Sequence, residues 1–177
     1  MLEVTVYTEE NYDEEQEKFV GSNPVYVHLE HSLVSVSKWE AVWEESFLNK
    51  DEKTHQQTVS YLAIMLQEKD LPEAIFQKLV EKHIPEINNY ITSKQTATTV
   101  PTDPTAPQNR EIVTAELIYY WMIELGIPWE CQHWHLNRLL MLIRVVNFKR
   151  DPKTTKMSTK DRRALNKARR QKLNTRG

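Results

Sequence analysis

The feature that most constrains this chain is a pair of strongly apolar segments separated by a helix-breaking turn. The first ends at about Leu125 and the second covers about 129–148, with Gly126 and Pro128 between them. Glycine favours the left-handed conformation that ends a helix, and proline cannot continue one. We therefore predict an antiparallel helical hairpin, with Asn109 as the N-cap of its first helix. Both helices are apolar around more than half of their circumference, as is typical of a core or a subunit interface.

The same region is too charged to cross a bilayer unaided, because a spanning helix needs about 20 predominantly apolar residues. Charges interrupt it at Glu116, Glu124, Glu130, Arg138 and Arg144. The N-terminus lacks the basic and apolar regions of a signal peptide. The lone Cys131 excludes a disulfide within the chain. We expect a cytoplasmic protein that does not use a membrane.

The N-terminal region is predicted to contain a small β element. Apolar residues alternate over 2–6 and over 25–29, and a β-branched run continues to Val36. The acid-rich stretch 9–18 is interpreted as a loop or a solvated helix, and Gly-Ser-Asn-Pro at 21–24 as a turn. A hairpin or a three-stranded sheet is expected.

Helices are predicted to follow this β element. Ser37 and Glu40 have the spacing of a capping box, so the first helix should begin at Ser37 and carry Trp39 and Trp43 one turn apart. Three further helix starts are predicted, at 51–54, at Pro72 and at 86 for a short helix over 86–92.

These patterns predict an α-rich α+β fold in four regions. Residues 1–92 form the N-terminal β element plus helices, and 93–109 a Thr/Pro-rich linker with three Pro and five Thr in its 17 residues. Residues 110–148 form the C-terminal αα-hairpin, and 149–177 a basic, flexible tail.

Charge is distributed very unevenly. Residues 149–177 contain 12 Lys/Arg and 2 Asp/Glu, whereas residues 1–148 contain 11 Lys/Arg and 23 Asp/Glu. The basic side chains that we single out are Arg162, Arg163, Lys167, Arg169 and Arg170. Three roles are open for the tail: it binds nucleic acid through phosphates, it folds against its own acidic body, or it becomes helical on an acidic protein partner. We favour the protein partner, and nucleic acid is not favoured because the tail has no aromatic residue to stack on bases.

The sequence does not support an enzyme. Its three glycines form no phosphate-binding loop, and no nucleophile elbow or metalloprotease motif is present. Cys131 and His135 would lie on one face of a continuous helix, and His28 and His31 could complete four zinc ligands. The alternative is that Cys131 is a small buried apolar residue and the histidines make polar contacts. We expect no metal, no other cofactor and no catalytic residue.

Three parts of the sequence together resemble a family of small proteins from tailed-bacteriophage structural-gene clusters. They are LEHSLVSVSKWE at 29–40, YYWM at 119–122 continuing into IPWECQHWHLNRLL at 127–140, and the ending from Met157 to Gly177. Within that family the chain is most similar to tail assembly chaperones. The resemblance implies a helical, non-enzymatic protein of the host cytoplasm that binds the tape measure protein, keeps its apolar helices soluble and helps recruit major tail-tube subunits.

The resemblance also suggests a hypothetical binding groove. Its candidate residues are Trp39, Trp43, Tyr120, Trp121, Trp134, His135 and Arg138. The alternative is that the tryptophans belong to an ordinary core. The opposed charges of body and tail are compatible with self-association. Two other functions are considered: a structural minor tail, baseplate or connector component of the virion, and a nucleic-acid-binding regulator that uses the basic tail.

Overall fold

The computed structural model describes residues 1–13, 18–49, 52–101 and 111–150. The elements in chain order are β1 (Leu2–Asp13), β2 (Lys18–Leu29), α1 (Leu33–Trp43), α2 (His55–Met65), α3 (Glu73–Lys82), α4 (Ile84–Thr92), α5 (Ala115–Leu125), a 3-10 helix (Trp129–His133) and α6 (Leu136–Arg150). The predicted α-rich α+β fold with a small N-terminal β element is confirmed.

The β element is a two-stranded antiparallel hairpin whose register runs from Leu2 opposite Leu29 to Asp13 opposite Lys18. The inward face is apolar as the alternation predicts, since Val4 and Val27 are buried. The interpretation of 9–18 as a loop or helix is wrong for its described residues, which are strand.

The predicted turn at 21–24 is also wrong, because β2 passes through it. Two of its turn-forming residues, Gly21 and Asn23, instead lie where the strand pair needs a small side chain or a positive φ. Gly21 lies against the ring of Tyr7, at a distance where a Cβ would overlap the ring. Asn23 takes a positive φ of 52°, a conformation that asparagine tolerates better than most residues.

Helix α1 begins four residues before the predicted Ser37. Ser32 is its N-cap, and the Ser32 hydroxyl accepts a hydrogen bond from the backbone N–H of Ser35. Of the two expected alternatives, the three-stranded sheet is therefore wrong and the hairpin is confirmed. The β-branched run favours a strand, but these residues form a helix because Leu33 and Val36 are completely buried in that conformation.

The other N-terminal helices begin near their predicted positions. Thr54 and Gln57 form a reciprocal capping box at the start of α2, and Pro72 precedes α3. The short helix α4 begins at Ile84, two residues before the prediction.

The C-terminal hairpin differs from the prediction in two places. Thr114, not Asn109, is the N-cap of α5, whereas Gly126 has the predicted left-handed conformation with φ of 66°. The predicted continuous helix over 129–148 is wrong, because a 3-10 helix precedes a break at Trp134 and His135. The N–H of Leu136 donates to the carbonyl of His31 at 3.0 Å, which directs the backbone toward the start of α1.

The core combines side chains from the hairpin and from all six α-helices. Its largest completely buried member is Trp39. Helix α5 contacts both α1 and α6. In the described part of the chain, none of the helices combines the length and the apolar character needed to cross a membrane.

Candidate protein-binding surfaces

A buried carboxylate connects the C-terminal helices to the N-terminal region through hydrogen bonds. Glu40 on α1 is only 7% exposed. Its two oxygens accept hydrogen bonds from the backbone N–H groups of Phe47 at 2.8 Å and Ala115 at 2.7 Å. Because Ala115 is the first residue of α5, the negative charge also lies at the positive end of that helix dipole. Glu40 thus fixes the 44–49 loop relative to the start of α5.

A groove opens beside this connection, between the 44–49 loop, the 111–113 segment, α5 and α6. We call it the α6 groove; its cavity has a volume of about 530 Å³. Apolar side chains that line it are Leu48, Ile112, Val113, Trp121, Leu140 and Ile143. The Ser46 hydroxyl donates to the carbonyl of Val113 at 2.7 Å, which joins two of its walls. The groove is therefore a preformed apolar depression with fixed walls.

A second surface lies on the outer side of α5. Tyr120, Ile123 and Trp129 are 56%, 71% and 52% exposed. The ring of Tyr119 stacks on the ring of Trp129 with centroids 5.1 Å apart, and Ile123 follows Tyr119 by one helical turn. We call these four residues the aromatic patch. A group of neighbouring, exposed apolar side chains is typical of a protein interaction site.

Carboxylates surround the aromatic patch. A hydrogen bond from Tyr120 to Glu124 raises the pKa of the Tyr120 hydroxyl. Burial, with a smaller contribution from the charge of Glu116, raises the pKa of Tyr119. The edge of the patch is therefore acidic, and its centre is apolar.

A different set of aromatic side chains packs in the core or against it. Trp39 contacts the rings of Trp43 and Phe47, with centroids 6.1 Å and 5.2 Å apart. The Trp39 indole N–H donates to the carbonyl of Gln57 at 3.0 Å, and that of Trp43 to the hydroxyl of Ser60 at 3.2 Å. We call Trp39, Trp43, Phe47, Tyr61 and His31 the inner aromatic cluster.

His31 of this cluster packs against a second buried histidine, His135. His31 and His135 have ring centroids 4.9 Å apart. Nδ1 of His31 lies 2.5 Å from the Tyr61 hydroxyl, and Nε2 of His135 lies 3.0 Å from the carbonyl of Tyr90. Burial, and secondarily the neighbouring His135, lowers the pKa of His31 to about 3. Burial also lowers the pKa of His135, so both rings are neutral at pH 7.

The four residues considered as zinc ligands in the sequence make other contacts. Cys131 belongs to the 3-10 helix and His135 lies beyond it, so the expected spacing on one helical face is absent. Burial raises the pKa of Cys131. His28 lies 2.7 Å from Glu68 and 3.2 Å from Glu3, away from the buried pair of histidines. Among the described residues, no three or more His, Cys, Asp or Glu side chains are arranged to hold a metal ion.

The hypothetical groove residues have different surroundings. Trp39 is enclosed in the core, Trp121 lines the α6 groove, and Tyr120 belongs to the aromatic patch. The guanidinium of Arg138 lies 4.2 Å from the centroid of the partly buried Trp134 ring. Trp43 packs against Trp39, and His135 is buried. The tail residues Arg162, Arg163, Lys167, Arg169 and Arg170 lie outside the described residues.

Several residues of the two surfaces, and the connection at Glu40, were not predicted from the sequence. The sequence patterns predict Ile123 and Trp129 to lie in the hairpin without marking them as binding residues, and they mark Glu40 as part of a capping box. A usable signal was the spacing of Tyr119 and Ile123, which puts two large apolar groups on one helical face. The hydrogen bond between Glu40 and Ala115 joins residues 75 positions apart in the sequence, and a local sequence pattern does not predict such a contact.

In comparisons with protein-family models, with curated proteins and with solved structures, none matches this chain.

Proposed function

We propose that this chain is a non-enzymatic phage tail assembly chaperone. It binds apolar helices of the tape measure protein in the host cytoplasm, keeps them soluble, and helps bring major tail-tube subunits to them. The proposal rests on the resemblance in 29–40, 119–122, 127–140 and the C-terminal ending, and the aromatic patch is the observation that supports it.

The patch has the chemistry that binding a helix requires. Tyrosine and tryptophan provide large contact areas with few rotatable bonds, and they are enriched among the residues that dominate binding energy. The exposed apolar surface of Ile123 and Trp129 is removed from water only when a partner covers it. An amphipathic helix with an apolar stripe would cover both at once.

The base of the patch is rigid, which lowers the entropic cost of binding. On the opposite side of α5, Ile118 and Met122 are completely buried. The C-terminal end of the helix is closed by a hydrogen bond from the N–H of Ile127 to the carbonyl of Met122 at 2.9 Å. A client helix therefore meets side chains held on a fixed support.

The acidic edge selects among clients. Glu116 and Glu124 flank Tyr119 and Tyr120 and interact with them electrostatically. Partner helices with Lys or Arg beside their apolar stripe should associate faster than acidic ones, and this preference should weaken with salt. The chemistry is reversible binding, which suits a factor that leaves after assembly.

The test is co-expression of this chain with the tape measure and tail-tube proteins of its own gene cluster, followed by affinity capture. We expect a soluble complex with the tape measure protein. Mass spectrometry of finished particles should not detect the chain. A chain retained in the particle would instead be a structural tail component, and failure to capture the tape measure protein would also overturn the proposal.

A further inference from the structure

The α6 groove and the basic C-terminal segment are complementary in chemistry and close along the chain. We propose that the α6 groove is an intramolecular docking site for the chain's own residues 158–172. This occupant does not depend on the client-binding role of the aromatic patch, which uses a different face of α5.

The point where α6 ends favours a contact within the same molecule. The groove extends along α6 to Asn147, and the helix ends at Arg150, less than one turn later. The Arg150 guanidinium donates to the carbonyl of Leu125 at 3.0 Å, which holds the end of α6 against the end of α5. Residues 151–157 can extend about 23–25 Å. The groove section of α6, from Leu140 to Asn147, is only about 10 Å long.

The apolar content of the segment matches the groove. Residues 158–172 have one large aliphatic side chain, Leu165, between the small residues Ala164 and Ala168. In a helix these three positions form one narrow apolar stripe. The groove offers an apolar floor that includes Trp121 and Leu140 within a cavity of about 530 Å³. A narrow stripe with a single protruding leucine suits such a shallow depression.

Charge adds to the match. Residues 158–172 contain seven Lys/Arg and one Asp. Glu111 lines the groove, and Glu45 and Glu52 line the adjoining cavity, which shares Ser46, Asn49 and Ile112 with it. Arg144 and Lys53 also line these cavities, so the local excess is modest. The larger attraction comes from the whole body, whose residues 1–148 contain 23 Asp/Glu and 11 Lys/Arg.

Tethering makes a weak contact sufficient. A segment joined by a connection of only seven residues, 151–157, is present at an effective concentration on the order of millimolar. Docking would also provide the apolar support that a short isolated helix lacks in water. The same basic segment would then be withheld from nucleic acid and from other acidic partners until they compete for it.

Disulfide trapping in the full-length chain tests this arrangement. The pair Ile112→Cys with Leu165→Cys joins the groove to the centre of the segment. Ile112 is 66% exposed, so its replacement should not disturb the core. The matched control is Tyr26→Cys with Leu165→Cys, because Tyr26 is 55% exposed on the β hairpin. A second groove pair, Leu48→Cys with Leu165→Cys, repeats the test from the 44–49 loop.

We expect both groove pairs to form an intramolecular disulfide about tenfold faster than the control pair. Raising the salt concentration should reduce the difference. Non-reducing gels and peptide mass mapping measure the rate and identify the product. Equal rates for groove and control pairs would overturn the proposal. Predominantly intermolecular disulfides would assign the groove to the tail of a second copy. Slow alkylation of the single variant Ile112→Cys, with no trapping of Leu165→Cys, would mean that another segment covers the groove.

Discussion

The inner aromatic cluster and the aromatic patch use the same kinds of side chain in opposite environments. Trp39 is completely buried, whereas Trp129 is 52% exposed. Trp39 has ring contacts with Trp43 of the same helix and with Phe47 of the following loop, and its indole N–H donates to the carbonyl of Gln57 on α2. The ring of Trp129 stacks on the ring of Tyr119, which belongs to the same patch. The first set joins separate segments of the chain, and the second leaves most of its apolar area to the solvent.

The difference indicates that residue type alone does not assign a role to a tryptophan. Burial of large apolar groups is a main source of folding free energy. Half-exposed aromatic groups contribute less to folding, and the same groups are available for a partner. The two regions should therefore respond differently to substitution, one mainly in stability and the other mainly in binding.

The largest expected effect is on the inner cluster. Trp39→Ala should lower the free energy of unfolding by about 3–5 kcal/mol, because it leaves a cavity and an unpaired carbonyl at Gln57. Trp129→Ala should lower it by less than about 1 kcal/mol. Urea denaturation of the two full-length variants measures both values. Equal losses of unfolding free energy in the two variants would contradict the distinction between the two regions.

The second effect is acid sensitivity of the inner cluster. His31 is buried as the neutral ring, with a pKa of about 3 in place of the ordinary 6.5. The unfolded chain binds the proton more readily, so the contribution of His31 is complete above pH 6.5 and is lost as pH falls toward 3. Between pH 6.5 and 4.5 the loss should be about 2–3 kcal/mol.

Comparing urea midpoints at pH 7 and 4.5 measures that loss. His31→Gln should be less sensitive to acid than the unmodified chain, although His135 contributes in the same direction. His133→Gln is the matched control, because the His133 side chain is 60% exposed. The assignment fails if both substitutions leave the acid sensitivity unchanged.

A third effect concerns the connection between the two regions. Glu40→Gln should destabilise the chain by about 1–3 kcal/mol, because one amide oxygen replaces two acceptors for the N–H groups of Phe47 and Ala115. The exposed Glu81→Gln provides the control. Thermal unfolding measures the difference, and amide hydrogen exchange should localise faster opening to the start of α5. Unchanged exchange at Ala115 would show that Glu40 does not hold this helix.

Much of the fold could be predicted from local patterns. Alternation predicted the parts of β1 and β2 over 2–6 and 25–29, and Gly126 with Pro128 predicted the turn after α5. Local patterns failed where distant residues determine the backbone. Val36 favours a strand in isolation but is helical because it packs in the core, and the break before α6 depends on contacts with His31 and Ser32.

The candidate surfaces were less predictable than the fold. Trp121 and Tyr120 were selected from the sequence, and each lies on one of the two surfaces. Trp39 was selected with them because a sequence pattern does not reveal which tryptophans the tertiary structure will cover. Leu48 and Ile112 line the same groove, and the long-range hydrogen bonds of Glu40 and Ser46 join the segments that carry them.

The smallest expected effect on stability is the most informative one for function. Ile123→Asp puts a charge at the centre of the aromatic patch and should change the free energy of unfolding by less than about 0.5 kcal/mol. Val42→Asp is the matched control, since Val42 is 65% exposed on α1 and Ile123 is 71% exposed on α5.

The most direct test measures how much tape measure protein remains soluble when it is co-expressed with each of these variants. We predict that the unmodified chain and Val42→Asp keep it soluble and that Ile123→Asp, folded to the same extent, does not. Equal solubility with Ile123→Asp and Val42→Asp would contradict the central claim that the aromatic patch binds the client.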